Sequence, residues 1–398
     1  MRWPTTITDA TPPARRGSFV LGFGIVVILL PPFVTANAMA GQEAPAQQAA
    51  ALRTAGQLHE AELAWRQIEQ RDPKNIAAHN NLAFTLSQEG QLAAAATEYR
   101  ASLALNPHQP DVSSNLGVTE FKQGRFTQSI AAFSEVARER PGDRRSTLLL
   151  GMSYFGLRRY GEAVKFLQTA ALQDPSNIEL HNVLAQSCLW SKQYDCALTE
   201  FKAILQANPD AIQSHMLMAE ALDGEGKTED AIKDLDAAAR LSPTEPVLHF
   251  ELGYLYYKKG ELDEAAQEFT TEIANNPGYA QAYAYLGDIS FRASDDANAE
   301  PLLKKALLLQ EQIRLAYFDL GCIYVNQNKD REAVSAFENA LRLDPSQPDA
   351  HYRLARLYSK LGERQKAAAE FEKTKHLHSK TEDGLIDKIS GSGEAKTK

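Results

Sequence analysis

The sequence predicts an all-α fold, a right-handed α-solenoid of about ten helix-turn-helix units of 34 residues each. Three observations predict it. Prolines recur at one spacing: Pro73, Pro107, Pro141, Pro175, Pro209, Pro243, Pro277 and Pro345 stand 34 residues apart or a multiple of that, and Glu311 fills the one gap. Alanines keep the same period at Ala61, Ala95, Ala163, Ala197, Ala231, Ala265, Ala299, Ala333 and Ala367, with Ser129 in the missing slot. A small residue recurs at Ala83, Gly117, Gly151, Ala185, Ala219, Gly253, Gly287, Gly321 and Ala355, each behind an apolar neighbour such as Leu82, Leu116 or Met218. Several residue types held in one register without an insertion mark stacked repeats.

Each part of the unit has a physical reason. The small residue of the first helix and the alanine of the second let two antiparallel backbones approach closely. A bulky residue one turn after the alanine is expected to fill the space between hairpins: Trp65, Tyr99, Phe133, Leu167, Phe201, Leu235, Phe269, Leu303, Phe337 and Phe371. Gly56, Gly90, Gly124, Gly226, Gly260, Asn328 and Gly362 stand where a left-handed cap ends the first helix. The proline, often behind Asp or Asn, breaks the second helix and starts the next unit. The units therefore begin at 42, 76, 110, 144, 178, 212, 246, 280, 314 and 348, and the solenoid covers 42–379. The first unit, with Pro45 inside its first helix, reads as a worn cap. The segment 380–398, rich in Lys, Gly and Ser, is expected to be disordered.

The run Tyr317, Leu320, Gly321, Tyr324, Ala333, Phe337, Ala340 and Pro345 resembles the tetratricopeptide-repeat family, whose unit places an aromatic residue, Leu-Gly, Tyr, Ala, an aromatic residue and Pro over 34 residues. The resemblance extends from about Gln42 to Ser379. It implies a platform for a protein or peptide partner, with the first helices lining an inner, concave surface. Carried onto this sequence, the inward strips read Met152 and Phe155; Gln186, Leu189 and Trp190; Met216 and Glu220; Phe250, Tyr254 and Tyr257; Asp288 and Phe291; Phe318 and Cys322; Tyr352 and Arg356. Aromatic and Met residues on a face that solvent should make polar suit a peptide groove, or else tighter packing between neighbouring first helices. Some members clamp a terminal carboxylate with Lys and Asn. Here Asn80 and Asn115 are scattered echoes and the lysines are missing, so that mode is not expected. The last unit places Arg353, Arg356 and Lys360 on one strip. That strip suits an acidic partner segment, or salt bridges to Asp319 and Asp349.

Composition narrows the function classes. With 42 Lys and Arg against 51 Asp and Glu, the net charge is -9, which argues against nucleic acid, since phosphate binding needs concentrated cations. At the N-terminus Arg15 and Arg16 precede an apolar run from Phe19 to Leu30, Pro31 and Pro32 end it, and Ala36, Ala38 and Ala40 offer a cleavage site. This pattern over 1–40 is a secretory signal, with a mature chain starting near Gly41. The run is shorter than the ~20 residues that span a bilayer, so membrane contact is expected only through this segment where it is left uncleaved. Three cysteines make no disulfide framework. Cys188 and Cys196, four residues either side of Lys192 in a helical hairpin, stand where one bridge can close in an oxidising compartment.

Catalytic chemistry finds no purchase. Of nine histidines, His79, His181, His215, His249 and His351 share the fourth place of their units, which Tyr283 and Tyr317 fill elsewhere, so the place reads as a packing slot rather than a metal site. No phosphate loop or nucleophile elbow is present, and Asp295-Asp296 reads as a helix cap. The sequence thus predicts a scaffold without cofactor or metal, exported to the periplasm or cell surface of a bacterium. The competing expectation is an accessory, substrate-selecting subunit of an envelope enzyme, secretion or glycosyltransferase complex.

Overall fold

The computed structural model describes residues 43–390, with side chains over 45–379. Residues 1–42, which include the expected secretory signal, and 391–398 lie outside the described residues. The chain divides into two compact units, one ending at Gln173 and one beginning at Asp174. The first stacks the hairpins α1 (Glu43–Thr54) with α2 (Leu58–Arg71), α3 (Ile76–Gln88) with α4 (Leu92–Leu105), α5 (Pro110–Lys122) with α6 (Phe126–Glu139), and α7 (Arg144–Gly156) with α8 (Tyr160–Gln173). The second stacks α9 (Ile178–Trp190) with α10 (Tyr194–Ala207), α11 (Ile212–Gly224) with α12 (Thr228–Leu241), and α13 (Leu248–Lys259) with α14 (Leu262–Asn275). It continues through α15 (Ala280–Arg292) with α16 (Asp296–Leu309), α17 (Arg314–Asn326) with α18 (Asp330–Leu343), and α19 (Pro348–Lys360) with α20 (Arg364–Ser390). Among the described residues there is no strand, and no helix is long and apolar enough to cross a membrane.

Most first helices begin where the 34-residue period places them. The caps explain the starts. Asn75, Asp143 and Asn177 each accept a backbone N–H three residues on, Asp295 does the same for a second helix, and Pro110 and Pro348 occupy a first turn that needs no donor there. Pro45 likewise sits in the first turn of α1 and leaves it intact. The first helices end alike: Gln91 N–H returns to the Leu86 carbonyl, and Gln193 N–H to that of Cys188. That return needs a left-handed residue between the helices. All seven expected residues take it, and so do Arg158, Lys192 and Ser294, which stand at the same 34-residue spacing though their residue types do not favour it.

Two boundaries differ from expectation. α13 begins at Leu248 rather than 246, because Val247 is held at φ 73°, outside any helix. A β-branched residue there is strained. The buried Glu272 carboxylate holds it by accepting the N–H groups of Val247 (3.0 Å) and Phe250 (3.4 Å). At the other end α20 runs to Ser390, past Ser379 and into the segment expected to be disordered. Leu385, Ile386 and Ile389 give that stretch helical apolar spacing, which its Lys and Ser content concealed.

The core extends one expectation. The bulky residues pack between hairpins, Trp65 with Leu82 and Phe337 with Leu354, and several also close over the small residue of their own hairpin. A Cβ at Gly117 would lie 2.8 Å from the Phe133 ring, and one at Gly321 2.7 Å from that of Phe337. The Phe269 ring covers Gly253 and reaches on to Tyr285 of the next hairpin, 5.6 Å between centroids. Phe371, in the last hairpin, is exposed.

Cys188 and Cys196 form a disulfide across the α9–α10 turn, with Cα atoms 5.8 Å apart. Reduction, or Cys188→Ser, is expected to lower stability by about 2.5 kcal/mol for so short a loop. Unfolding with and without reductant measures it, and identical midpoints would show a bridge that adds nothing. The third cysteine, Cys322, is free and buried.

Candidate partner-binding surface

In the first unit Met152 and Phe155 of α7 are buried, not exposed on a groove wall. In the second unit the expected groove residues separate into two classes. Leu189, Met216, Phe250, Tyr254, Tyr257, Asp288 and Cys322 are buried. Gln186, Phe291, Phe318 and Arg353 are half-buried, whereas Trp190 (37 % exposed), Glu220, Tyr352 (46 %), Arg356 and Lys360 are open to solvent.

The buried class corrects the groove reading with a physical reason. The rings of α13 interdigitate with those of α15: Phe250 lies 5.7 Å, Tyr254 5.6 Å and Tyr257 5.2 Å from Tyr285, centroid to centroid. Aromatic side chains reach across the gap between successive first helices and close it, so the strip in these hairpins is inter-repeat core. Tyr285, absent from the expected set, is the hub. Only its period could have pointed to it, one helical turn before Ile289 on the same buried face.

A polar network is built into the same packing. Tyr257 donates its hydroxyl to Asp288 Oδ2 at 2.7 Å, and Arg292 Nε donates to the same oxygen at 2.6 Å. The Arg292 guanidinium also lies 5.3 Å over the Tyr257 ring. Asp319 of α17 stands beside Asp288 and is wholly buried, and its Oδ2 has no hydrogen-bond partner. Burial, and then the neighbouring Asp288 charge, hold the Asp319 carboxyl well above the ordinary carboxylate range. Asp319 is therefore a buried acid and not a partner for the cationic strip. Burial also pushes the Cys322 thiol up to about 12, against the nearby Arg353 charge.

The open class is concentrated on α19. Lys360 pairs with Asp330 at 2.8 Å, neither of the acids expected for the strip. The other two cations rest on rings: the Arg353 guanidinium lies 5.6 Å over Phe318, and that of Arg356 5.9 Å over Tyr352. Among the described residues no ion pair engages Arg353 or Arg356 within 4 Å. Two guanidinium groups seated on aromatic faces, beside an exposed Tyr352, can take a carboxylate in bidentate fashion and an apolar side chain next to it.

Two side-chain groups have donors close enough to consider a metal, His59 with Glu62 and Glu89, and Glu69 with His79 and Glu98. Each set is partly engaged already. Glu62 accepts from Arg66 at 2.7 Å, and both His79 ring nitrogens are hydrogen-bonded.

Comparison with known proteins agrees with this architecture. Profiles described as tetratricopeptide repeat match residues 83–144, 114–178, 154–221, 250–313 and 349–381, and one described as TPR repeat matches 225–260 and 321–362. No curated protein sequence matches significantly. Among similar solved structures is MamA from Desulfovibrio magneticus, 23 % identical, over 42 % of this chain and 95 % of that one, with a TM-score of 0.38. YrrB, described as a TPR protein with an unusual peptide-binding site, is 23 % identical over 48 % of this chain and 97 % of its own, with a TM-score of 0.39. The C-terminal part of a TPR repeat-containing protein from Cytophaga hutchinsonii is 17 % identical over 60 % and 98 %, with a TM-score of 0.48.

Proposed function

The chain belongs to the tetratricopeptide-repeat family, and on that premise we propose that it is a non-catalytic interaction scaffold of the bacterial cell envelope that holds an acidic segment of a partner protein on α19. The observation that carries the reading is the pair Arg353 and Arg356, free of ion pairs within 4 Å and seated on Phe318 and Tyr352. Charge on such a surface sets encounter and register, and the aromatic neighbours supply affinity. The double variant Arg353→Glu/Arg356→Glu is expected to weaken binding of a fluorescent peptide of Glu and Phe residues at least about 30-fold, with thermal unfolding unchanged. Wild-type binding should fall as salt rises. Equal affinity of the two proteins, or binding indifferent to salt, would remove the surface from the proposal.

The envelope location rests on the N-terminal pattern alone: two arginines, a short apolar run ended by prolines, and small residues at Ala38 and Ala40. Sequencing the mature protein from a periplasmic fraction is expected to read from Gly41. A membrane-bound chain that keeps Phe19 to Leu30 would mean an anchor instead.

A further inference from the structure

Five first helices carry a histidine in their fourth place, and all five hold it alike. Nδ1 faces a carboxylate of the second helix: His79 with Glu98 (2.7 Å), His181 with Glu200 (2.5 Å), His215 with Asp234 (2.8 Å), His249 with Glu268 (2.6 Å), and His351 with Glu370. Nε2 faces a proline carbonyl in the turn leading into the hairpin: Pro73 (3.0 Å), Pro175 (3.1 Å), Pro209 (2.9 Å), Pro243 (2.9 Å) and Pro345 (3.0 Å). A carbonyl only accepts, so Nε2 must carry hydrogen. An ionised carboxylate also only accepts, so Nδ1 must carry one too. A neutral imidazole has a single N–H; the imidazolium ion satisfies both partners.

At Tyr283, half of this arrangement persists. Tyr283 donates its hydroxyl to the Pro277 carbonyl at 3.3 Å. At these six places the side chain supplies a donor to the carbonyl of a turn proline. Histidine adds a charged tie to the second helix.

We propose that these histidines are a pH switch built into the stack: as imidazolium ions they latch turn, first helix and second helix together, and their deprotonation releases the latch. Other charges face them. Glu69 of α2 adds its charge at His79. Asp234 is itself shifted upward by burial, against the pull of His215. At His249, Asn275 shares the Pro243 carbonyl, and Tyr256 lies near Glu268. Around His351, Glu338 and Arg342 of α18 and Tyr358 line the same recess, and Lys373 pairs with Glu370 at 2.7 Å. For His79 burial pulls downward, but the Pro73 carbonyl, Glu98 and Glu69 outweigh it, and the net shift is upward. A raised histidine stabilises fully below its unfolded value of about 6.5, and that contribution is lost as pH rises through the folded value. Three latched hairpins are consecutive, from α9 to α14, and the next two carry Tyr283 and Tyr317 in the slot.

The test uses the full chain with Asp319→Asn, which removes the buried acid's own titration. Ring ¹⁵N shifts of selectively labelled histidine are expected to show imidazolium at the five positions at pH 7.0. Amide protection in α9–α14, relative to α15–α18, should fall about tenfold per latch between pH 6 and pH 8.5. His181→Tyr/His215→Tyr/His249→Tyr keeps the chain's own uncharged alternative and should abolish that fall. Neutral rings at pH 7.0, an unchanged protection ratio, or the same fall in the tyrosine variant would each overturn the proposal. Should the triple variant not fold, the ring shifts of the parent chain decide.

Discussion

Phe269→Ala is expected to lower stability by about 3–5 kcal/mol, and Phe337→Ala by as much, because each ring is fully buried over a glycine notch that nothing else can fill. Tyr254→Ala and Tyr257→Ala should fall in the same class, since both rings are packed against Tyr285. Trp190→Ala and Tyr352→Ala should behave differently. Their side chains are substantially exposed, so the expected loss is under ~1 kcal/mol of stability. Tyr352→Ala should in addition weaken peptide binding by ~2 kcal/mol. Thermal or urea unfolding, paired with the peptide titration, separates the classes. Equal stability losses in Phe269→Ala and Tyr352→Ala would show that the exposed aromatics are core as well.

Arg292→Met should cost about 3 kcal/mol at pH 8. Asp288 and Asp319 are buried side by side, and Arg292 supplies the charge-assisted bond between the Asp288 carboxylate and a cation. Removing one partner of a buried pair typically costs ~3–5 kcal/mol. The low end applies because the Arg292 side chain is itself 43 % exposed. The sign with pH is fixed by Asp319. Its carboxyl is raised in the folded chain, so its contribution is complete below the ordinary carboxylate range and is lost as pH rises through the folded value. The variant's deficit should therefore shrink on acidification, when Asp319 takes up its proton, and Asp319→Asn added to Arg292→Met should recover much of it. Unfolding midpoints from pH 5 to 8 for the single and double variants measure both effects. A deficit that grows toward acid would mean that Asp319 is ionised.

The repeat register was legible because it is written in steric terms that sequence displays directly. A glycine opposite a phenylalanine, a left-handed residue between helices and a proline after them leave few alternatives, and the helix starts follow. What faces solvent was less legible. A first-helix strip can point inward to a partner or sideways to the next first helix, and residue type does not distinguish them. Phe250 and Tyr352 are both aromatic, yet the first is fully buried by Tyr285 and Tyr279 and the second is open. The histidine slot was recognised as packing, but its double hydrogen bond depends on a carboxylate in the other helix and a carbonyl of the turn. Neither partner is local to the histidine, so the periodicity alone could not reveal the charge. Val247 was hidden for a similar reason, since the carboxylate that holds its backbone comes from α14.

The bridge between Cys188 and Cys196 spans a turn whose tip, Lys192, is exposed and held at φ 60°. Such a lysine is the kind of site that trypsin attacks. A nick after Lys192 would leave two polypeptides still tied by the sulfur bridge on either side of the cut. In an oxidising compartment the nicked chain would migrate as one species and keep its hairpin closed. The same cut made after reduction would let the pieces part, so the fragment pattern on a gel records the redox history of the molecule.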